Sequence, residues 1–411
     1  MIEIDKCRMC SDDKLDRVVS LGNMSLSGIF PASKDDQVPE GPLDLVKCST
    51  NNGGCGLVQM AQNYNPDDMY NEAYGYTSSL NSSMVNHLNN KIKLIENSIK
   101  ILDQDMIIDI GSNDATSLLA YSNSNILKVG VDPVGNKFKD IYLKNNITLI
   151  DDFFSNEIVN KLPKEKAKVI TSFSMFYDLP DPLGFSKAIS DILEDGGIWV
   201  MEQSYMPMMI DRNSFDTICH EHLEFYALTQ IKWIADKVGL KIINCDFNDV
   251  NGGSFSVVLA KNDLFDGIYQ KKIQKILDEE AKNIHNLNYY KNFQDRIIEL
   301  KKESRAFLEN IKKSGKKVCG LGASTKGNIT LQYFEINDND LESILDVNDE
   351  KFGCVSPGSH IKILPENEEN IKEYDYFYVL IWHFKDHLLK NKNFKGKKLI
   401  FPLPNFEVIS L

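Results

Sequence analysis

Short apolar runs that close on a glycine or an acidic residue alternate along this chain with stretches whose apolar residues return every three or four positions. The clearest case is MIIDIGSNDATSLLAY. Met106 to Ile110 is the length of a buried strand, a tight turn follows at Gly111 to Asp114, and a helix opens near Thr116. LKVGVD predicts a second strand ending at Asp132, and ITLIDDFF, KVITSFSMFYDL and GGIWVMEQSY predict three more, each with polar residues at or just past its end. Ahead of them Met84, Leu88, Ile92, Ile95 and Ile99 fall at helical spacing, with Asn81 or Ser82 as the cap.

The last third repeats the theme. Charged segments from Leu264 to Ile311 carry apolar stripes at Ile273, Ile276, Leu277, Ile284 and Leu287, then at Phe293, Ile297 and Leu300. The heptad is not sustained, so two packed helices are expected rather than a coiled coil. KKVCGLGASTKGNITLQYF reads as a second strand, turn and helix, and ESILDVNDEKFG, PGSHIKILPE and YDYFYVLIWHFKDHLLK continue as strand and loop. Repeated units of this kind predict doubly wound α/β domains, whose ligands sit at the carboxyl ends of the strands.

Composition narrows the function. The 411 residues carry 46 Lys+Arg against 59 Asp+Glu, a formal charge of −13, which argues against nucleic-acid and anionic-membrane partners. A hydrophobic share of 42% supports packed cores, and the length suggests two or three domains. No signal sequence and no apolar run of about 18 residues is present, so a cytoplasmic location is expected. There the eight cysteines are not a disulfide framework. Cys7-x2-Cys10 has knuckle spacing, Cys48-x6-Cys55 loops through STNNGG, and together they supply four ligands for structural zinc. Cys219, Cys245, Cys319 and Cys354 are single and lack metal-ligand spacing.

The turn after the first strand lacks G-x-G-x-x-G. D-x-G-x-N-D instead leaves side-chain oxygens where a pyrophosphate would approach, which suits a neutral or cationic ligand such as S-adenosylmethionine. Asp132 stands where an acid accepts hydrogen bonds from ribose hydroxyls. The densest polar cluster is FDTICHEHLEFY. An extended segment there places His220 and His222 on one face and Glu221 on the other, and a histidine is the best base available for a carbon or hydroxyl proton. Gly320, Gly322, Ala323 and Ser324, followed by Lys326 at a helix start, suggest a pyrophosphate cradle, while the absence of GxxxxGK[ST] speaks against ATP hydrolysis.

In order, the CxxC cluster, YNEAYGYTSS, DIGSNDA, CHEHLEFY, NGGSF and GLGASTKGN resemble, over nearly the whole chain, the three-part sugar C-methyltransferase family. Its best-known members add a methyl to C3 of a TDP-4-keto-deoxysugar. The resemblance implies a zinc-binding module at 1–66, a class I S-adenosylmethionine methyltransferase domain with a Rossmann-like fold at 67–262, and a helical linker plus Rossmann-like nucleotide-sugar domain at 263–411. It further implies that Asp109, Gly111 and Asn113 cradle the methionine part, Asp132 takes the ribose, and Asp152 with Phe153 approaches the adenine, with Ser174 also on the cofactor side. His222 is the implied base, with Glu221, His220 and Tyr76 around it. Glu202, Tyr177, Gly322, Ser324, Lys326 and Asn328 are expected on the nucleotide-sugar side.

Three departures fall near the sugar or its turn: Cys219 where Tyr is usual, Ala115 where Gly is usual, and Tyr177 or Asp178 where His is often found. The expected substrate is therefore not the antibiotic one. A sugar C–H is acidic only beside a carbonyl, so C-methylation requires a 4-keto sugar. O-methylation of a nucleotide-sugar or another small phosphorylated metabolite is the alternative, and a monomer or weak homodimer is expected.

Overall fold

The computed structural model describes residues 2–51, 53–65, 77–264 and 267–411. Its centre is a seven-stranded sheet in the spatial order Lys241–Asn248, Ser254–Ala260, Leu193–Ser204, Ala167–Phe173, Met106–Ile110, Leu127–Val131, Thr148–Ile150. The last five in that order run parallel, Ser254–Ala260 runs antiparallel to them, and Lys241–Asn248 pairs antiparallel with Ser254–Ala260 at the sheet edge. Met106–Ile110 is buried at every position, as a strand covered on both faces must be, and all but Asp109 of its residues are apolar. The helix after its turn is short, Thr116–Leu119.

The carboxyl-terminal sheet has six strands in the order Ile363–Pro365, Ile344–Asp346, Val318–Leu321, Tyr376–Val379, Lys398–Phe401, Glu407–Ser410, all parallel but the last. In both sheets the first parallel strand of the chain lies between the second and the fourth. Both also brace their first turn in the same way. Asp132 accepts from the backbone N–H groups of Asn113 (2.7 Å) and Val134 (2.8 Å), and Asp346 accepts from those of Ala323 (2.6 Å) and Asn348 (2.7 Å). Two helices, Gln270–Ala281 and Leu287–Lys313, join the halves and bury the stripes Ile273 and Phe293, Ile297, Leu300. Glu280 ties the first of them back, accepting from Tyr205 Oη (2.7 Å), from the Leu228 and Thr229 backbone (2.7 and 2.8 Å) and from Thr229 Oγ1 (2.6 Å).

The amino-terminal part is built on a long hairpin, Leu15–Ser25 with Glu40–Cys48, extended by Val58–Met60. Its fourth strand comes from far along the chain: Glu224–Phe225 pairs with Gln59 and Val58, and Met60 N donates to Leu223 O at 2.8 Å. Val19, Leu21, Leu43, Leu45, Leu57 and Met60 form its apolar face. The cysteine cluster therefore shares a sheet with the segment just after His222. Among the described residues, no helix is long and apolar enough to cross a membrane.

Candidate active site and zinc site

Cys7 and Cys10 lie on the turn before the hairpin, Cys48 ends its second strand and Cys55 follows it. All four sulfurs lie within 4.8 Å of one another, with Cys7 to Cys55 and Cys10 to Cys48 at 3.5 Å. Four thiolates around one zinc ion at about 2.3 Å stand about 3.8 Å apart, so the cluster fits the metal. The sulfurs also conflict without a cation. Cys7 is pushed down to about 2 by hydrogen bonds from Cys48 and Cys55, while Cys48 and Cys7 push Cys55 far up. Gln59 braces the set, donating to Cys7 Sγ (3.1 Å) and accepting from Arg8 N (3.0 Å). Arg8 in turn donates to Met60 O and Gln62 O and lies 3.8 Å from Glu224, linking the knuckle to the strand beyond His222.

At the cofactor end, Gly111 is at φ +74, and a Cβ there would sit 3.0 Å from Met175. Asn113 and Ala115 share the left-handed region at φ 47 and 63. Asp109 is buried in its strand: it accepts from Thr171 Oγ1 at 2.6 Å, and burial raises its carboxyl to about 7 against the pull of that hydrogen bond. The Asn113 and Asp114 side chains accept from Ser78 N (3.0 Å) and Ser79 N (2.9 Å), pinning the Thr77–Leu80 segment over the turn. Asp132 remains at its strand end, with burial raising its carboxyl. Asp152 and Phe153 are half exposed at the next strand end, and Ser174 is exposed at φ 53. This edge of polar strand ends fits the ribose and adenine of S-adenosylmethionine.

Glu202 differs from expectation. His87 and Lys91 (2.5 Å), from the helix Ser82–Ser98, and Asn248 (2.9 Å) take up its carboxylate. Burial pushes it up, but His87 and Lys91 more than offset this and hold it below the usual range. With its oxygens so engaged, Glu202 is a brace between the helix and the sheet rather than a free sugar ligand. His87 and Lys91 were missed in the sequence, although two bases one helical turn apart are a readable signal.

The H-E-H segment is a turn, not an extended strand: His222 N donates to Cys219 O at 3.1 Å. The turn splits the two histidines. His220, fully buried, faces the amino-terminal sheet, where Nε2 donates to Gly41 O (3.3 Å) and Tyr64 meets the ring edge-on at 4.8 Å. That removes it from the catalytic group. His222 Nδ1 donates to Thr217 O at 2.7 Å, and since a carbonyl can only accept, the lone pair is on Nε2. Tyr177 packs on its ring at 4.3 Å. Burial, aided by the Lys326 charge, lowers His222 to about 4, so the imidazole is neutral near pH 7. A cavity of about 10 Å³, lined by Tyr177, Ser204, Met206, Met209 and Thr217, lies against it and has the size of one water rather than a sugar. Tyr76 lies outside the described residues.

Glu221 projects the other way. Burial raises its carboxyl, Oε2 has no hydrogen-bond partner among the described residues, and Oε1 is so close to Gly28 that a Cβ there would stand 2.7 Å away. The glycine turn of the carboxyl-terminal domain is likewise not an open cradle. Ser324 Oγ caps the helix Thr325–Tyr333 by accepting from Gly327 N (3.0 Å), a Cβ on Gly322 would stand 2.6 Å from Ile381, and Asn328 donates to Ser27 O (2.8 Å). Lys326 turns away from the glycines, donating to Thr217 Oγ1 (3.2 Å) and Asn251 O (2.6 Å). Around this junction Ser214 Oγ, Asp216 Oδ1, His383 Nδ1 and Asn328 Oδ1 are buried without partners among the described residues.

Three family models match in chain order: a zinc binding domain at residues 7–70, a methyltransferase domain at 84–244 and a C-methyltransferase C-terminal domain at 249–404. The C-methyltransferase NovU of Streptomyces niveus is 27% identical, covering 99% of this chain and 97% of its own. Among solved structures, the PH0226 protein of Pyrococcus horikoshii covers 46% of this chain and 95% of its own at 13% identity and a TM-score of 0.37. The CurJ carbon methyltransferase covers 44% of this chain and 56% of its own at 11% identity and a TM-score of 0.35.

Proposed function

As the chain belongs to the S-adenosylmethionine-dependent C-methyltransferases that carry an amino-terminal zinc-binding domain, we propose that it methylates a carbon next to the carbonyl of a nucleotide-linked ketosugar. His222 is the base. One observation carries this: the Thr217 carbonyl holds Nδ1–H, which leaves Nε2 as a neutral, oriented lone pair in a buried polar junction. S-adenosylmethionine, when bound, supplies the electrophilic methyl.

Buried polar atoms without partners beside His222 support a substrate with many hydroxyl groups, since each orphan costs about 1–3 kcal/mol until a ligand satisfies it. Asp132, Ser174, Asp152 and Phe153 lie along the cofactor edge, Tyr177 packs against the base, and Glu221 keeps a buried carboxyl oxygen without a partner among the described residues. The acidic overall charge gives a diphosphate no long-range attraction, so recognition is local.

The test is methyl transfer from S-adenosylmethionine to a panel of nucleotide-linked 4-ketosugars, with the new methyl located by carbon-detected NMR. A C-methyl signal on the carbon next to the ketone is expected. An O-methyl product, or transfer only to substrates lacking a carbonyl, refutes the reading.

A further inference from the structure

Among the described residues Lys326 is a cation with no carboxylate in ion-pair contact, and Thr217 places it beside the base. Burial lowers its pKa against the raising effect of Asp216, yet no carboxylate oxygen lies within ion-pair distance among the described residues. Asp216, the nearest acid to act on it, instead accepts from Trp382 Nε1 (2.8 Å) through one oxygen and leaves the other without a partner. A buried ammonium without a direct counter-ion is costly, and such a group in a site is a functional candidate. It has three N–H donors and two acceptors, Thr217 Oγ1 and Asn251 O.

Thr217 sets the geometry. Its carbonyl orients His222 and its hydroxyl holds Lys326, so one residue spaces the lone pair and the ammonium. The groups whose charge acts on Lys326 or responds to it are Asp216, Cys219, His222 and His383. The two histidines are neutral near pH 7, lowered by burial to about 4 and about 3. Arg212 and Lys351 nearby are turned to the Gly252 and Ala323 carbonyls, so Lys326 beside the base suits one developing negative charge.

Resting on the C-methylation reading, we propose that Lys326 is the electrophilic partner of His222, its free N–H meeting the carbonyl oxygen of the ketosugar. Nε2 of His222 takes the proton from the adjacent carbon, the C–H pair becomes the C=C bond, and the carbonyl π pair moves to oxygen as an enolate facing the ammonium. The enolate carbon then attacks the methyl group, the S–CH3 pair departs on sulfur, and the carbonyl reforms. The carboxyl-terminal domain thus supplies half of the acid–base pair.

The experiment follows deuterium uptake at the carbon next to the ketone in deuterated water, with a panel of TDP-, UDP-, GDP- and CDP-linked 4-keto-deoxyhexoses and no methyl donor. In Lys326→Met, exchange should fall by about 10²–10³-fold, with KM changed less than about threefold and S-adenosylmethionine affinity intact. Lys326→Arg should recover part of the rate. The acid limb of the exchange profile should move up from about 4 in Lys326→Met, because the charge that helps hold His222 neutral is gone. Thr217→Val, which deletes only the shared hydroxyl, should slow exchange in the same direction and decides the matter if Lys326→Met does not fold. Full exchange with a raised KM in Lys326→Met overturns the proposal in favour of a phosphate contact, and full exchange with unchanged KM overturns it outright. Absence of exchange in the wild-type enzyme refutes the C-methylation reading itself.

Discussion

Replacing His220 by Gln gives a sharp test of how the H-E-H turn is built. The imidazole is fully buried against Tyr64 and Gly41, and burial lowers its pKa from 6.5 to about 4. A group depressed in the fold stays neutral there while the unfolded chain takes up a proton, so its contribution is present above the unfolded value and is lost as pH falls from 6.5 toward 4. Linkage gives a loss of about 1.4 kcal/mol at about pH 5.5 against about 0.2 kcal/mol at pH 7. The difference, about 1.2 kcal/mol, is about eightfold in the folding equilibrium. Buried carboxyls such as Asp109, raised to about 7, move in the opposite sense, so the wild-type curve alone is not diagnostic. They cancel in a comparison with His220→Gln, whose amide can still donate to Gly41 O. Urea unfolding at the two pH values, followed by tryptophan fluorescence, should show the wild type losing about 1.2 kcal/mol more than the variant. Parallel losses would mean that His220 is solvated or charged in the fold and does not lie buried against Gly41 and Tyr64.

Ala115 is held at φ 63, where an L-residue is strained by about 1–2 kcal/mol; Ala115→Gly should be neutral or stabilising by up to about 1 kcal/mol in urea unfolding after the glycine entropy is set against it. Glu280→Ala leaves Tyr205 Oη and two backbone N–H groups buried without an acceptor, and should lower stability by about 3 kcal/mol or more in the same assay. Removing zinc with a chelator should raise amide hydrogen exchange both at Val58–Met60 and at Leu223–Phe225, because the two segments share one sheet, and slow methyl transfer in step. Protection lost in the first segment alone would break that link.

The parallel strands were readable because they are buried on both faces, so apolar residues dominate from Met106 to Ile110, with Asp109 the exception, and again from Val318 to Leu321. The four cysteines and Asp132 were readable from local spacing. What escaped the sequence depends on side-chain direction and distant pairing. The HEH triplet looks the same as a strand or a turn, and only the turn sends His220 to the amino-terminal sheet. Lys326 sits where a phosphate-binding lysine would in a helix start, yet Thr217 and Asn251, 109 and 75 positions away, draw it to the base. Glu202 was legible as a strand-end acid, but its partners His87 and Lys91 come from a helix 115 positions upstream in the case of His87. The two-residue strand Glu224–Phe225 is too short for any pattern to mark it.

The central claim is that His222 Nε2 removes a proton from the carbon beside a ketone. Deuterium uptake at that carbon, measured without methyl donor for the wild-type enzyme and for His222→Asn, tests it most directly. The account predicts uptake in the wild type and a loss of at least about 10²-fold in His222→Asn while S-adenosylmethionine still binds. Equal uptake in both proteins would contradict it.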